Sequence, residues 1–381
     1  MLGIIRYEKM VLTMRDPVLD MIGYIKRIYD NNEDIVNNIS NPHLLYDALY
    51  DLYEIIGMPK IKESIIKLIK FLLVEKRTEG NKFENHMLHT VIYGPPGVGK
   101  TMVGSVLAKI WSALGVLPKP KRSIENRTPA REAREAREYA FGKPTISAMN
   151  RARDKSPLKL PPIRQPINKT KPLLSRTKHQ APIKIVSRNE FVAHYVGQTA
   201  DKTRRLLIDT LNEGKALFID EAYSLVNDER DSFGHEALHE LNKFMSEHPE
   251  LVIIFAGYKD QIEATIFKSQ PGFKRRCTWI FEIDKYTPHM LSLIFRRQLS
   301  TNGWAYDESD ETLTEFFRSR MDYFRAYGGD TLRLVLHCKL RYSEIRFDED
   351  IDKHGGKIDK KIINFQIIRE AFEQYIDNGL N

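Results

Sequence analysis

The chain has 381 residues, 42% of them apolar, and a formal net charge of +8, enough for two or three domains with a well-buried core. No stretch of about 18 apolar residues occurs, so a membrane-spanning helix and a membrane partner are not expected, and no cleavable leader is read in MLGIIRYEKMVLTMRD. Cys277 and Cys338 are too few for an extracellular disulfide framework, and a reducing, cytoplasmic setting is expected.

Asp16-Pro17 reads as a helix start, and Leu19, Ile22, Ile25 and Ile28 follow at helical spacing, so residues 1–49 are expected to form an N-terminal helical region. A second helix is expected over 58–76, carrying Ile61, Ile65, Ile66, Ile69, Leu72 and Leu73. Residues 87–93 read as a buried strand running into GPPGVGKT, and 101–114 as a helix stopped by Gly115. Residues 118–182 break this pattern: they hold ten of the 18 prolines, few large apolar residues and the repeat REAREAREYA. The composition predicts a basic, Pro-rich insert, mostly extended or disordered, with one short exposed helix near 130–139. Residues 119–188 carry 19 Lys/Arg against 5 Asp/Glu, a net of +14, leaving −6 for the rest of the chain. Attraction to nucleic acid or another polyanion belongs to this segment first, against the plainer reading of a solvated linker.

Order resumes with a strand at Ile183–Val186, a helix at Thr199–Asn212 with Thr199 as N-cap and Gly214 as its stop, and a strand at Ala216–Ile219. A helix over 233–245 and a strand over 251–256 follow. Strands alternating with helices predict a parallel sheet covered on both faces. After Tyr286 the pattern is helical, over 290–299, 311–323, 332–345 and 362–375. The expected division is therefore 1–49; an α/β core of 50–117 and 183–286; the insert 118–182; and a small all-helical domain 287–381.

Gly94-Pro95-Pro96-Gly97-Val98-Gly99-Lys100-Thr101 fits the phosphate-loop pattern G-x-x-x-x-G-K-[ST], and it sits between an apolar strand and a helix. Its glycines let backbone N–H groups and a helix N-terminus turn onto an anion. Lys100 would hold the β- and γ-phosphates of ATP, and the Thr101 hydroxyl would ligate Mg²⁺. In LFIDEAYSL, Asp220 and Glu221 stand at the carboxyl end of a strand, the edge that faces a nucleotide in an open parallel sheet. Asp220 would complete the metal shell, and Glu221 would orient or deprotonate the attacking water.

LFIDEAYSL, HYVGQTADKT, IIFAGYKDQIE and SQPGFKRR together resemble the CbxX/CfqX-type AAA+ proteins, which include Rubisco activases of red-type organisms and stage V sporulation protein K. The combination is also similar to AAA+ ATPases of large DNA viruses. The likeness covers residues 50–290, weakens across the C-terminal helices, and is absent over 1–45 and the insert. It implies a P-loop NTPase sheet sandwiched by helices, the AAA+ core, followed by a small all-α lid. It implies that Ile55-Ile56-Gly57 line the adenine pocket and that Tyr258 stands at the sensor-1 position, where most AAA+ proteins have Asn. Arg276, with Arg275 as the adjacent alternative, matches the arginine finger that reaches a neighbour's γ-phosphate. Tyr195-Val196-Gly197 matches the loop that grips substrate in the central pore, with a second-loop counterpart near 227–234. The family's Gly-Asn-Ala-Arg is here Gly328-Gly329-Asp330-Thr331-Leu332-Arg333, which shifts the sensor-2 candidate, Arg333, by about 100° around a helix. The activity implied is ATP hydrolysis with Mg²⁺ in a homo-oligomeric ring, a hexamer, coupled to remodelling of a protein substrate or complex. The alternative is a nucleic-acid-associated ATPase, a replication or packaging factor working through the basic insert, although no base-reading module is visible.

Overall fold

The computed structural model describes residues 16–33, 39–78, 88–121, 174–176, 178–195, 197–228, 230–353 and 361–379. The chain divides into two units, Met1–Lys119 with Leu174–Asn381, and Pro120–Leu173. Almost every described residue belongs to the first. The helix expected near 130–139 lies outside the described residues.

Helix starts follow local chemistry. In α1 (Pro17–Asp30) the Asp16 carboxylate accepts the Val18 N–H at 2.8 Å; in α2 (Pro42–Glu54) the Asn41 side chain accepts the Leu44 N–H at 3.0 Å. Each has Pro at its first position, where a missing N–H costs nothing. Helix α3 spans Pro59–Thr78. The buried face of α1 is Val18, Met21, Ile22, Ile25, Ile28 and Tyr29, whereas Leu19 is 44% exposed, so the apolar repeat read from the sequence is offset by one residue at its first member.

The core is a five-stranded parallel sheet of β1 (His89–Tyr93), β2 (Ile183–Val186), β3 (Ala216–Ile219), β4 (Ile253–Gly257) and β5 (Cys277–Glu282), in the order β2-β3-β4-β1-β5. The three inner strands are buried at every residue, which is why they read as continuous apolar runs. Side chains alternate between two cores: Leu217, Ile219, Ile253 and Phe255 pack on one face, Phe218 and Ile254 on the other. The register places Tyr93 beside Gly257 and Ile219 beside Phe255. The segments leaving β1, β3 and β4 therefore emerge along one edge of the sheet. The fifth strand, β5, lies outside the elements expected from sequence. It is a sheet edge with Ile280 51% exposed, so CTWIFE lacks the apolar run of the inner strands.

Helix α4 (Lys100–Ala113) follows β1, and the short α5 (Arg188–Phe191) follows β2. Helix α6 (Thr199–Asn212) starts where expected, but its N-cap is Gln198, and Thr199 Oγ1 instead accepts the Ala193 N–H at 3.2 Å. Helices α7 (Ser232–Glu247), α8 (Lys259–Ile262) and α9 (Pro271–Arg276) complete the core. The C-terminal part is α10 (Pro288–Thr301), α11 (Asp310–Arg318), α12 (Gly328–Lys353) and α13 (Phe365–Gly379), joined by a two-residue parallel pair, β6 (Ala305–Tyr306) with β7 (Ile362–Ile363). The helix expected over 311–323 stops at Arg318 and resumes as a 3₁₀ turn at Met321–Tyr323. Among the described residues no helix is long and apolar enough to cross a membrane. Both cysteines are buried and unpaired.

His89, at the start of β1, is buried; its Nδ1 accepts the Ile253 N–H at 3.3 Å while Nε2 has no partner. Burial, with the nearby Arg276 charge, pushes its imidazole down to about 3. An unfolded histidine titrates near 6.5, so below that pH the unfolded chain takes up a proton that the folded chain refuses. The stability attached to this residue is intact above about pH 6.5 and falls by about 2 kcal/mol by pH 5. Urea unfolding should show the stability gap between wild type and His89→Gln narrowing by that amount from pH 7 to 5. A gap that ignores pH would assign the acid sensitivity elsewhere.

Candidate functional site

Strand β1 hands the chain to the phosphate loop at Gly94, whose N–H donates to Gly257 O at 3.1 Å. Gly97 and Gly99 adopt φ of 71° and 93°, a left-handed backbone that glycine tolerates best. Gly97 also lies so close to the C-terminal helices that an added Cβ would collide with the Ala326 carbonyl. Lys100, the first residue of α4, is buried, and its Nζ donates to Gly94 O and Pro95 O, each at 3.0 Å. Burial lowers its ammonium below the usual lysine range, against the opposing fields of Asp220 and Glu221. Its Nζ lies 5.8 Å from the Tyr258 ring centroid, so Lys100 faces the end of β4. Thr101 is half-buried in the first turn of α4.

At the end of β3 the sheet bond from Asp220 N–H to Val186 O, 2.9 Å, fixes the backbone where the acidic pair begins. Asp220 Oδ1 accepts the Glu221 N–H at 3.1 Å. Glu221 is exposed and sits at φ 49°, left-handed for a residue with a side chain, a strain on the order of 1–3 kcal/mol that tends to collect at functional sites. The Tyr223 hydroxyl donates to Glu221 Oε2, and the Tyr223 ring lies 5.9 Å from that of Tyr258. Burial first, then the Glu221 bond, push the Tyr223 hydroxyl above the usual tyrosine range, so it stays a donor. Sequence reasoning missed Tyr223, although its place two residues beyond Glu221 in DEAY was the available signal.

Among the described residues no cluster of three or more His, Cys, Asp or Glu side chains is placed to hold a metal. The donors near the phosphate loop, one carboxylate in Asp220 and one hydroxyl in Thr101, suit a cation that keeps several waters and takes the rest of its shell from phosphate oxygens, as Mg²⁺ does.

Beside the loop is a cavity of about 320 Å³. Its apolar wall includes Ile55, Ile56, Met102 and Ile294, and Glu54, Arg297 and Gln298 add polar groups. Gly97, Val98 and Gly99 line it as well, so it is continuous with the turn that opens α4. Gly57 does not line it; at φ 75° it turns the chain beneath Met290. The C-terminal helices close the opposite side: Tyr286 Oη donates to Val98 O at 2.8 Å, the Gly328 N–H to Gly97 O at 3.2 Å, and Gln298 Nε2 to Gly328 O at 2.9 Å. Tyr286 and Gln298 escaped the sequence reading, because neither belongs to a motif.

The remaining candidates are not drawn into this cavity. Arg333 is exposed, and its guanidinium lies 5.4 Å over the Tyr375 ring rather than against the phosphate loop. Arg276 precedes β5 at the edge of the sheet where β1 begins, since Cys277 pairs with His89. That edge is opposite Lys100 and Asp220. Arg276 donates to Asn242 Oδ1 at 3.2 Å, Gly272 O at 3.1 Å and Ser246 Oγ at 2.7 Å, while Arg275 is exposed. Tyr195 is 72% exposed and Gly197 adopts φ 80°, between two helices that hold the loop ends. Val196 lies outside the described residues.

Residues 171–276 match the family model "ATPase family associated with various cellular activities (AAA)". The chain is 30% identical over 339 residues to the putative cfxQ-like protein R730 of Acanthamoeba polyphaga mimivirus, covering 88% of this chain and 66% of that protein. It is 27% identical over 344 residues to the chloroplastic ribulose bisphosphate carboxylase/oxygenase activase of Cyanidioschyzon merolae, covering 88% and 92%. It is 28% identical over 269 residues to the ESX-1 secretion system protein EccA1 of Mycobacterium tuberculosis, covering 69% of this chain and 36% of that protein. The chain thus spans 66% of the mimivirus relative's length and 36% of EccA1's.

Proposed function

The chain carries an AAA ATPase domain with CfxQ-like, Rubisco activase and EccA1 homologues, and from that premise we propose that it hydrolyses ATP to remodel a protein substrate or complex, working as a homo-oligomeric ring. The observation that carries this reading is that the phosphate loop and the Asp220–Glu221 strand end leave the sheet along one edge, beside a cavity walled by Ile55 and Ile56. A nucleotide would place its base in that cavity and its phosphates on residues 97–101, within reach of Lys100. The resident Mg²⁺ would neutralise phosphate charge as the terminal bond breaks. Thr101 and Asp220 would hold that ion, Glu221 would align and deprotonate water, and Tyr223 would fix the Glu221 carboxylate.

Two features support assembly. Arg276 lies at the sheet edge opposite its own Lys100, away from its own phosphate loop, as a residue that serves a neighbouring subunit's nucleotide would. On α12, Leu332, Leu336, Leu340 and Phe347 form a stripe with exposures of 50–67%, more apolar surface than a monomer helix ordinarily shows to water. A hexamer is the ring we propose. Light scattering with an ATP analogue should give a closed ring of Glu221→Gln protein; a monomer at every nucleotide concentration would end the ring reading.

The exposure of Tyr195 supports a substrate-gripping loop, since an aromatic held in water has no packing role. Tyr195→Ala is expected to keep basal ATP turnover and lose its stimulation by an unfolded polypeptide such as carboxymethylated lactalbumin. Retained stimulation would exclude this loop. The +14 balance of residues 119–188 favours a second reading, an ATPase acting on nucleic acid. A DNA or RNA gel shift that weakens steeply with salt and disappears on deleting residues 119–173 would support that reading.

A further inference from the structure

Sequence composition assigns everything up to residue 182 to the basic segment, yet its last residues are built into the core. Leu174 is 3% exposed, the His179 N–H donates to Asp47 Oδ2 at 2.8 Å, and Arg176 faces the C-terminal end of α2. There the Arg176 guanidinium spans the Glu54 carboxylate, with Nη1 on Oε1 and Nη2 on Oε2 at 3.0 Å, and also reaches Asp51 Oδ1 at 3.0 Å. The same carboxylate is held by α10: Arg297 Nη2 donates to Glu54 Oε2 at 2.7 Å, and Arg297 Nη1 to the Glu54 carbonyl. Glu54 and Arg297 line the nucleotide cavity, whereas Arg176 does not.

We propose that Arg176 is a positioning residue of this cavity, holding Glu54 so that the wall formed by Glu54, Ile55 and Ile56 and the α10 face bearing Arg297 stay in the geometry that accepts a purine. The inference rests on the reading of that cavity as the nucleotide site.

The surroundings make Arg176 more than a surface contact. Asp47 is fully buried, and Lys109 Nζ donates to it at 2.9 Å and to Asp51 at 2.6 Å. Asp47, Asp51 and Glu54 are thus matched by Lys109, Arg176 and Arg297, three charges of each sign. The Arg176 bond is the largest of the influences that hold the Glu54 carboxyl down at about 2, with Arg297 a smaller one. Without Arg176, the Glu54 carboxylate would keep Arg297 as its one remaining cation partner, and the α2 end would lose its planar, two-point grip. Leu174 anchors the chain by burial independently, so the guanidinium is not required merely to keep this segment in place.

The test is the affinity of the full chain for a fluorescent ADP derivative, read for wild type, Arg176→Gln, Arg176→Lys, Glu54→Gln and the double variant Arg176→Gln/Glu54→Gln. Arg176→Gln is expected to weaken binding about tenfold, raising KM for ATP while kcat at saturation stays near wild type. Arg176→Lys, which keeps the charge but loses the fork, should fall between. In the Glu54→Gln background the Arg176 change should have little further effect. Wild-type affinity in Arg176→Gln protein of native circular dichroism overturns the proposal, as does an undiminished loss in the Glu54→Gln background. If Arg176→Gln does not fold, wild-type affinity in Arg176→Lys overturns it equally. Failure of wild type itself to bind the ADP derivative would instead remove the nucleotide reading of the cavity, and this proposal with it.

Discussion

Glu221→Gln is expected to bind ATP as tightly as the wild type and to hydrolyse it about 10²–10⁴ times more slowly, the range lost when a positioned general base is removed. The amide keeps the size of the carboxylate and an oxygen that can still accept the Tyr223 hydroxyl. It cannot take a proton from water. Glu221 is exposed and makes no buried contact, so its replacement should leave the fold intact. The left-handed φ of 49° is the same demand for either side chain. Single-turnover measurement of phosphate release, with binding followed separately, distinguishes the two effects. Wild-type release by the Gln variant would remove Glu221 from the chemistry.

Lys100→Ala is expected to abolish nucleotide binding without unfolding the protein. Nζ donates to the Gly94 and Pro95 carbonyls, and burial holds its ammonium below the ordinary range. A phosphate would give that charge the counter-ion that two carbonyl dipoles do not. Two charge-assisted contacts at about 1.5–3 kcal/mol each correspond to a loss of about 100-fold or more in affinity when the side chain is truncated. Because alanine also removes a buried, partly desolvated charge, the melting temperature should change little. Calorimetric titration with ADP checks the first point and a thermal melt the second. Retained binding would mean that the loop holds its anion through backbone N–H groups alone.

The site was legible in the sequence where chemistry is local. GPPGVGKT must combine left-handed turns with a lysine at a helix start, and an apolar strand ending in Asp220-Glu221 declares its exposed end. Both readings depend on residues adjacent in the chain. What the sequence did not disclose is what depends on distant packing. Strand β5 is half-exposed, so periodicity alone could not separate it from a loop. Thr199 has the chemistry of an N-cap, yet its hydroxyl is taken by Ala193 across the preceding loop. Leu19 obeys the helical repeat but falls on the solvent side of α1. Arg176 stands in a stretch whose composition is that of a solvated linker, and only the fold brings it to Glu54, 122 positions earlier. Tyr286 reaches the phosphate loop from the turn before α10, and Gln298 of α10 holds Gly328, through contacts that no motif spacing encodes. The one-residue shift that carries Arg333 around α12 was visible as an altered spacing; its result, a guanidinium over Tyr375, required the helix packing.

The central claim is that residues 97–101 and the Asp220–Glu221 strand end share one magnesium nucleotide. A crystal structure of the Glu221→Gln protein with ATP and Mg²⁺ tests it most directly. The account predicts one ATP per chain, its base between Ile56 and α10, its γ-phosphate on Lys100, and a single Mg²⁺ touching Thr101 Oγ1 with Asp220 in its shell. A nucleotide bound elsewhere, or a cation held without Thr101 and Asp220, would contradict it.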